Sequence, residues 1–262
     1  MVSILEIQGL SIHRSKFKIL DDISWQVRRG ENWAILGANG SGKTSLLKAL
    51  VGYLTPTTGT ITVLNESFGH SDWRELRKAV GIVSSSVANL IHPEDTGLEI
   101  VVGGKSASIG SWKRIHKAER RSALDLLESV KADHLEGKIW ALFSQGERQR
   151  ILIARALMAK PAILILDEPC AGLDPVARED FLAFLTHHAA STHAAPLLFV
   201  THHVEEIIPC LTHALVLKSG RVLTAGPLSQ LNSSVLSEAF SCRVILRRKN
   251  HRITLTVKPS LQ

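Results

Sequence analysis

The stretch Trp33–Leu50, WAILGANGSGKTSLLKAL, predicts a strand, a glycine-rich loop and a helix in immediate succession. Glycines let the backbone of such a loop turn its N–H groups inward, and the helix N-terminus adds partial positive charge. This arrangement binds the phosphates of a nucleoside triphosphate. The predicted phosphate-binding residues are Gly37, Ala38, Asn39, Gly40, Ser41, Gly42, Lys43, Thr44 and Ser45.

Two residues of this loop carry specific chemistry. The ammonium group of Lys43 is expected to reach the β- and γ-phosphates and to act in catalysis, and the hydroxyl of Thr44 is expected to ligate Mg²⁺. ATP and Mg²⁺ are therefore the predicted cofactors.

A second signal is the run ILILDEP, in which an apolar strand, Ile163–Leu166, delivers two carboxylates at its end. Open α/β sheets bind ligands at the carboxyl ends of their strands. Asp167 is the predicted second Mg²⁺ ligand, and Glu168 is the predicted general base for an attacking water. The alternative is an exposed acidic turn without chemistry.

Short β-branched runs alternate with helical patterns, which predicts an α/β fold with a largely parallel sheet. From about Pro93 to Ala159 helical spacing replaces the strand signals. We predict a single domain over 1–262, with an α/β core in 1–90 and 160–230 and an inserted helical lobe in 91–159. Residues 231–262 are predicted as a C-terminal extension, with a hairpin between Val244–Leu246 and Ile253–Val257. The predicted core strands are Val2–Ile7, Ile23–Val27, Trp33–Leu36, Thr60–Val63, Val80–Val83, Ile163–Leu166, Leu197–Thr201, Ala214–Leu217 and Arg221–Leu223.

Composition excludes some classes of protein. Three scattered cysteines among 262 residues argue against a disulfide framework and favour a reducing compartment. No apolar run approaches the ~18 residues that a membrane span needs, and the N-terminus does not resemble a signal peptide.

The net charge of +7 is compatible with nucleic acid or an anionic membrane surface, but also with an ordinary mixed surface. The densest basic stretch, Ser111–Arg121, is predicted to be a loop entering a solvated helix.

The stretch FSQGERQR, Phe143–Arg150, leads into the helix ILIARALMA and then into the acidic strand. AGLD, ending at Asp174, and VTHH, containing His202, follow in that order. This succession resembles the ATP-binding cassette (ABC) ATPases over nearly the whole chain. The resemblance implies a P-loop NTPase core of the RecA-like type, an antiparallel β edge and an inserted helical lobe. It also implies that two cassettes pair head to tail, so that Ser144 and Gly146 contact the ATP bound to the partner.

The resemblance assigns further roles and partners. Asp174 corresponds to the aspartate that communicates across the dimer, and His202 to the switch histidine that contacts the γ-phosphate and orients the water. The expected protein is the ATP-hydrolysing subunit of a transporter. Its expected partners are a second cassette, simplest as a homodimer, and a separate membrane permease, with no nucleic acid. The expected location is the cytoplasmic face of the cell membrane, without a transmembrane segment in this chain.

The sequence departs from the family pattern at two positions. After the strand Val80–Val83, Ser85 stands where the family places a glutamine that senses Mg²⁺ and contacts the membrane partner. The usual adenine-stacking aromatic residue is also missing. His13, Arg14 and Phe17 are the candidates to replace it, and the alternative is a plain surface turn without a role in binding. A metal site at the paired histidines His187-His188 or His202-His203 is disfavoured because adjacent side chains point apart on regular helices and strands.

At a finer level, GENWAILGANGSGKTSLL, GGKSASIG, SQGERQR and DEPCAGLD look like the ModF-type, molybdenum-transport-associated branch, near the ATPases of iron-chelate importers. Molybdate or a metal chelate is therefore the candidate solute. The rival hypothesis is a soluble ABC ATPase that acts on nucleic acid or ribosomes. A kinase would fit the phosphate loop but would leave FSQGERQR unexplained.

Overall fold

A computed structural model describes residues 2–109, 115–191, 194–249 and 252–258. The chain forms two compact units, of which unit 1 comprises Met1–Leu76 and Pro196–Gln262 and unit 2 comprises Arg77–Ala195. The strands are β1 (Ser3–Arg14), β2 (Phe17–Arg28), β3 (Trp33–Leu36), β4 (Thr58–Val63), β5 (Glu66–Ser67), β6 (Val80–Val83), β7 (Ile163–Asp167), β8 (Leu197–Val200), β9 (His213–Lys218), β10 (Arg221–Pro227), β11 (Val244–Lys249) and β12 (Arg252–Val257). The helices are α1 (Lys43–Leu50), α2 (Trp73–Lys78), α3 (Ser85–Ala88), α4 (Gly97–Gly103), α5 (Lys117–Ser129), α6 (Gln145–Met158), α7 (Pro175–Ala189) and α8 (Ser233–Phe240).

Unit 1 contains an antiparallel sheet and part of a mixed one. The antiparallel sheet has the strand order β2-β1-β4-β5. In the mixed sheet, β3 runs parallel to both β8 and β9, and β10 pairs antiparallel with β9. All four residues of β3 are buried, as a strand covered on both faces requires. Each Ile or Leu buried in this way stabilises the fold by about 1.5–3 kcal/mol, which fixes the strand that carries the phosphate loop.

The C-terminal part of unit 1 is a hairpin that packs on α8. Val244 pairs with Val257 and Leu246 with Leu255 in the antiparallel ladder. The hydroxyl of Ser237 on α8 accepts a hydrogen bond from the Val244 N–H at 3.0 Å, and that of Ser233 accepts one from the Leu246 N–H at 2.9 Å. Asn250 and His251, in the turn-rich stretch predicted between the two strands, lie outside the described residues.

Unit 2 combines a parallel strand pair with the helices that the sequence predicted between Pro93 and Ala159. Strand β6 pairs with β7 in register from Val80–Ile163 to Val83–Leu166. In α5, Ala123 and Leu127 are fully buried, in agreement with their helical spacing. Within the described part of Pro93–Ala159 no strand forms, apart from a single bridge between Thr96 and Ile139.

Several predicted boundaries differ from the structure. The first two strands are 12 residues each, longer than predicted, because they extend to the hairpin turn at Arg14–Phe17. The short strand β5 was not predicted. In the basic stretch Ser111–Arg121, residues 111–114 lie outside the described residues, and α5 begins at Lys117. The predicted lobe limits stay a prediction, since β6 and β7 are grouped with the helices of unit 2.

Candidate nucleotide site

The predicted site residues fall into two groups, and each group is described within its own unit. The phosphate loop and His202 belong to unit 1. Ser85, Ser144, Gly146, Asp167, Glu168 and Asp174 belong to unit 2.

The phosphate loop has a backbone that only glycine can adopt at two of its positions. Gly37 has φ +149°, and a Cβ added there would lie 2.4 Å from the carbonyl oxygen of Leu217. Gly42 has φ +105°, and its Cβ would lie 2.7 Å from Leu20 Cδ2. Side chains at these positions would therefore clash with β9 and β2 as well as strain the backbone. The loop keeps the compact turn in which consecutive N–H groups can converge on an anion.

Lys43 is buried inside this turn, with 5% of its surface exposed. Its ammonium group donates hydrogen bonds to the carbonyl oxygens of Gly37 at 2.7 Å and Ala38 at 3.1 Å. The hydroxyl of Ser41, also buried, has no hydrogen-bond partner within the described chain. A buried cation, an unpaired hydroxyl and a helix N-terminus form a donor set that fits phosphate oxygens.

Thr44 and Ser45 lie in the first turn of α1, and the Thr44 side chain is exposed. Asp167 is the last residue of β7 and is half-buried. A hydroxyl and a carboxylate are hard oxygen ligands, the type that Mg²⁺ prefers. The residue types present therefore fit the cofactor.

His202 leaves the sheet beside the phosphate loop. Strands β3 and β8 are parallel neighbours, and the Thr201 N–H donates a hydrogen bond to the Ile35 carbonyl at 3.1 Å. The carboxyl ends of the two strands therefore lie together, and the loop and His202 follow them directly. The rings of His202 and His203 are 4.0 Å apart, so the expectation that they point apart is wrong: the segment after Val200 is not a strand.

The segment around His202 is braced by two residues that sequence reasoning missed. The Thr201 hydroxyl donates to the Glu206 carboxylate at 2.5 Å and accepts from the His203 N–H at 2.9 Å. Thr201 and Glu206 are 1% and 4% exposed. Buried polar groups that bond to each other in this way fix one local conformation. The only sequence signal was a pair of acids, Glu205-Glu206, inside an apolar stretch.

In unit 2, Asp167 and Glu168 emerge next to the end of β6. Since Val83 pairs with Leu166, the serines that follow Val83 lie alongside the acids. Ser84 caps α3 by accepting a hydrogen bond from the Val87 N–H at 3.3 Å, and Ser85 is exposed. Glu168 has φ +49°, a left-handed conformation that is uncommon for a residue with a Cβ. Such strain concentrates at functional sites, which makes Glu168 a candidate for chemistry.

The stretch FSQGERQR begins helix α6 through a capping box. The Ser144 hydroxyl accepts from the Glu147 N–H at 3.3 Å, and the Glu147 carboxylate accepts from the Ser144 N–H at 2.7 Å. Burial alone would raise the pKa of Glu147, but the hydrogen bonds from Lys138 and Ser144 lower it to about 2. Glu147, which departs from the family pattern, therefore stays ionised and holds the turn.

Nothing inside unit 2 requires glycine at position 146. A Cβ added to Gly146 would have no neighbour closer than 3.9 Å, in contrast to the crowded Gly37. Within the subunit the Ser144 oxygen accepts the capping hydrogen bond, and the Ser144 side chain also bonds to the Glu147 carboxylate. The turn therefore presents an open face at a helix N-terminus.

Asp174 caps the next helix. Its carboxylate oxygen Oδ1 accepts hydrogen bonds from the N–H groups of Val176 at 2.8 Å and Ala177 at 3.0 Å. Pro175 occupies the first helical position of α7, where its missing N–H has no effect. The stretch AGLD also touches FSQGERQR, since Gln145 donates to the Ala171 carbonyl at 3.4 Å.

The three candidates for adenine stacking lie at the turn between β1 and β2. Phe17 is the most exposed large hydrophobic side chain among the described residues, at 78%. It stands two residues before Ile19, whose carbonyl oxygen lies 3.4 Å from the Cβ position of Gly42. His13 and Arg14 are also exposed. An exposed aromatic ring on the strand that borders the phosphate loop is suited to stacking on a base.

Within the described ranges, no helix combines the length and the apolar character needed to cross a membrane.

Comparison with known proteins gives consistent matches. The family model described as ABC transporter matches residues 20–171. The chain is 42% identical to the uncharacterized ABC transporter ATP-binding protein YlmA of Bacillus subtilis, over 90% of each protein. It is 33% identical to the sulfate/thiosulfate import ATP-binding protein CysA of Bordetella pertussis, over 85% of this chain and 61% of that protein. The solved structure of cbiO1 from Clostridium perfringens, part of an ABC transporter complex, is 29% identical with a TM-score of 0.75, covering 87% of this chain and 89% of that one.

These matches confirm the predicted fold, an α/β phosphate-loop core with an antiparallel sheet and helices. They favour transport over the nucleic-acid hypothesis, because the similar proteins are transporter subunits. The chain belongs to the ABC transporter family, as an ATP-binding subunit that hydrolyses ATP.

Proposed function

We propose that the subunit holds ATP on its phosphate loop and couples hydrolysis to transport through the residues predicted above. Residues 37–45 bind the triphosphate, and the Lys43 ammonium neutralises charge on the β- and γ-phosphates. Thr44 and Asp167 hold Mg²⁺, which would supply further neutralisation of phosphate charge. The observation that supports this proposal best is the phosphate loop, with its buried lysine and its two positions restricted to glycine.

Glu168 acts as the general base on the attacking water, and His202 orients that water. The strained backbone of Glu168 supports its role, because strain persists where a side chain must point in a defined direction. The bracing of His202 by Thr201 and Glu206 supports a fixed position for the histidine. Phe17 is proposed to stack on adenine, on the grounds of its exposure and its strand.

A second copy of the chain completes the site. Ser144 donates its hydroxyl proton, and Gly146 its backbone N–H, to the γ-phosphate bound by the partner. The free space around Gly146 supports this role, since glycine is not needed there for packing within the subunit. Asp174, which caps α7 beside this turn, is proposed to relay closure between the two copies.

The test is the variant Glu168→Gln, which removes the base and keeps the shape of the side chain. Turnover should fall by about 10²–10⁴-fold, the scale of a general base, while ATP binding persists. Because hydrolysis no longer opens the pair, size-exclusion chromatography should show a dimer that forms only with ATP. Glu128→Gln on the exposed face of α5 is the matched control and should behave as wild type. A variant that binds ATP and stays monomeric would contradict the dimer.

The subunit is proposed to work at the cytoplasmic face of the cell membrane, bound to a permease that is a separate chain. The proposed solute is molybdate or a metal chelate, supported by the resemblance to the molybdenum-transport branch. The relative named for sulfate/thiosulfate import supports testing an oxyanion first. With the permease reconstituted in vesicles, molybdate should stimulate ATP hydrolysis more than phosphate does. Equal rates with both anions would contradict the assignment.

A further inference from the structure

The turn that begins helix α6 has an acidic residue at the end where the proposed function places a phosphate. Glu147 stands in the first turn of α6, and its carboxylate accepts a hydrogen bond from the Ser144 N–H at 2.7 Å. It is ionised at neutral pH, because its pKa is about 2. The sequence of α1, KTSLLKAL, contains no acidic residue. The two helix N-termini proposed to contact one ATP therefore differ by a negative charge.

A carboxylate without a counter-charge would oppose phosphate binding at the start of α6. A helix N-terminus attracts anions through its N–H groups and its dipole, so a carboxylate and a phosphate compete for the same groups. The two negative charges also repel each other. In the free subunit the Ser144 side chain bonds to the Glu147 carboxylate, so the group proposed to contact the γ-phosphate already has an anionic partner. Phosphate binding there requires a positive charge beside Glu147.

Lys138 supplies this positive charge. Its ammonium group donates hydrogen bonds to both oxygens of the Glu147 carboxylate, at 2.9 Å to Oε1 and 3.1 Å to Oε2. The ring nitrogen Nε2 of His134 is farther away, at 3.6 Å from Oε1. The guanidinium of Arg148 lies instead over the ring of Trp140, 5.1 Å from its centre. Lys138 is therefore placed to neutralise both carboxylate oxygens at once.

The backbone of Lys138 is tied to the start of another helix. Its carbonyl oxygen accepts a hydrogen bond from the Gly97 N–H at 3.1 Å, in the first turn of α4. The next residue, Ile139, forms a bridge with Thr96, which caps α4. The ammonium group also lies 5.7 Å from the centre of the Phe143 ring, where the ring attracts a cation. Lys138 thus approaches Glu147 from a fixed backbone position.

We propose that Lys138 is a positioning residue for ATP hydrolysis. By neutralising Glu147, it allows the Ser144 turn to receive the γ-phosphate of ATP bound to the second copy. Lys138 has this role only if two copies form the site, as in the proposed function. A glutamine at position 147 could accept the same Ser144 hydrogen bond through its amide oxygen without a charge. Such a side chain would need no lysine beside it.

The experiment uses Glu168→Gln as the parent, because this variant is expected to form an ATP-dependent dimer. Sedimentation velocity at one protein concentration measures the ATP concentration at which half of the chains are dimeric. Lys138→Met should raise this concentration by about tenfold, the effect of one like-charge repulsion near the surface. Lys138→Met/Glu147→Gln should return it close to the value of the parent. Lys138→Arg keeps the charge and should also resemble the parent, and circular dichroism verifies that each variant is folded.

The matched control is Lys105→Met. The Lys105 ammonium donates to the Glu119 carboxylate at 2.8 Å, and that carboxylate accepts from the His116 N–H at 3.2 Å at the start of α5. This is the same arrangement of lysine, glutamate and helix start, at a helix with no proposed contact to ATP. Lys105→Met should leave ATP-dependent dimerisation unchanged. An equal loss in this control would show that the effect is not specific to the Ser144 turn, and would overturn the proposal.

Salt separates charge neutralisation from simple anchoring of the helix. Repulsion between Glu147 and the phosphate is screened by salt, so the difference between Lys138→Met and the parent should shrink between about 0.05 and 0.5 M sodium chloride. A double variant as weak as Lys138→Met, or no effect of Lys138→Met, would overturn the role of Lys138 and leave the proposed dimer intact. A parent that binds ATP and stays monomeric would instead overturn the two-copy site, and the role of Lys138 with it.

Discussion

Lys43 lies inside the phosphate loop with its ammonium group on the carbonyl oxygens of Gly37 and Ala38. Its position beside those carbonyls places the charge where phosphates would bind. Replacement by alanine should therefore abolish ATP binding or turnover. Lys48→Ala, on the exposed face of the same helix, removes an equal charge and should leave both unchanged. Fluorescent-nucleotide titration and phosphate release measure the two quantities, and unchanged turnover in Lys43→Ala would refute the site.

Phe17 leads to a separate prediction at the rim of the site. Stacking of a base on an aromatic side chain stabilises binding by about 1–3 kcal/mol, so Phe17→Ala should raise the dissociation constant of ATP by about 5- to 150-fold. Phe17→Tyr keeps the ring and should restore affinity. His13→Ala, at the neighbouring exposed position, is the control. If His13→Ala weakens ATP binding and Phe17→Ala does not, the stacking residue has been misassigned.

Among single residues, the sequence predicts those whose role can be recognised from the neighbouring residues of the chain. Lys43 follows six loop residues after Leu36, and Asp167 ends an apolar run, so both could be recognised without a structure. The contact between Thr201 and Glu206 could not, because either side chain has many alternative partners until the turn between them is formed. Nor could the free space beside Gly146 be inferred, because it depends on Ala177 in another helix.

Among the helices and strands, α6 allows a prediction of how the stability of the fold depends on pH. Glu147 has a folded-state pKa of about 2, below its ordinary 4.5, because the hydrogen bonds from Lys138 and Ser144 outweigh the effect of burial. A depressed carboxylate pKa adds stability that is present above about pH 4.5 and is lost as the pH falls towards 2. Glu147→Gln should therefore lower the free energy of unfolding by about 1 kcal/mol at pH 7. This difference from wild type should become smaller as the pH is lowered.

Urea unfolding of wild type and Glu147→Gln at several pH values between 7 and 3 measures this difference. Glu128→Gln, which removes an exposed carboxylate from α5, should show no comparable convergence with wild type. A difference that stays constant across this range would show that the ionised carboxylate does not hold the start of α6.

The ends of the elements were less predictable than their centres. Strands β3 and β6 have the predicted limits, since each is a short apolar run buried on most of its length. Strand β1 continues to Arg14 because it pairs with β2 and β4, and those pairings join residues far apart in sequence. The alternation of apolar and polar residues along β1 does not show which distant strands will pair with it. Strand β5 is two residues long and exists only through its pairing with Thr62 and Val63.

At the scale of the whole molecule, the proposed site requires two copies of the chain. A symmetric pair has two identical sites, each with the phosphate loop of one copy and the Ser144 turn of the other. Lys43→Ala damages the loop, and Ser144→Arg blocks the turn with a bulky cation. Each variant alone should be nearly inactive, because every site in its homodimer contains the same lesion.

Mixing the two variants separates the proposed arrangement from a site formed within one chain. In a mixed dimer both lesions fall in the same site, and the other site has an intact loop facing an intact turn. If the copies exchange freely and the sites act independently, an equimolar mixture should recover about a quarter of wild-type turnover, since half of the dimers are mixed and each has one good site. Val176→Arg, exposed at the start of α7, provides a bulky cation outside the proposed contact residues as a control for Ser144→Arg. Recovery of turnover in the mixture can arise only if each ATP is contacted by two chains. A mixture that is as inactive as its two components would show that Ser144 serves only as the cap of helix α6.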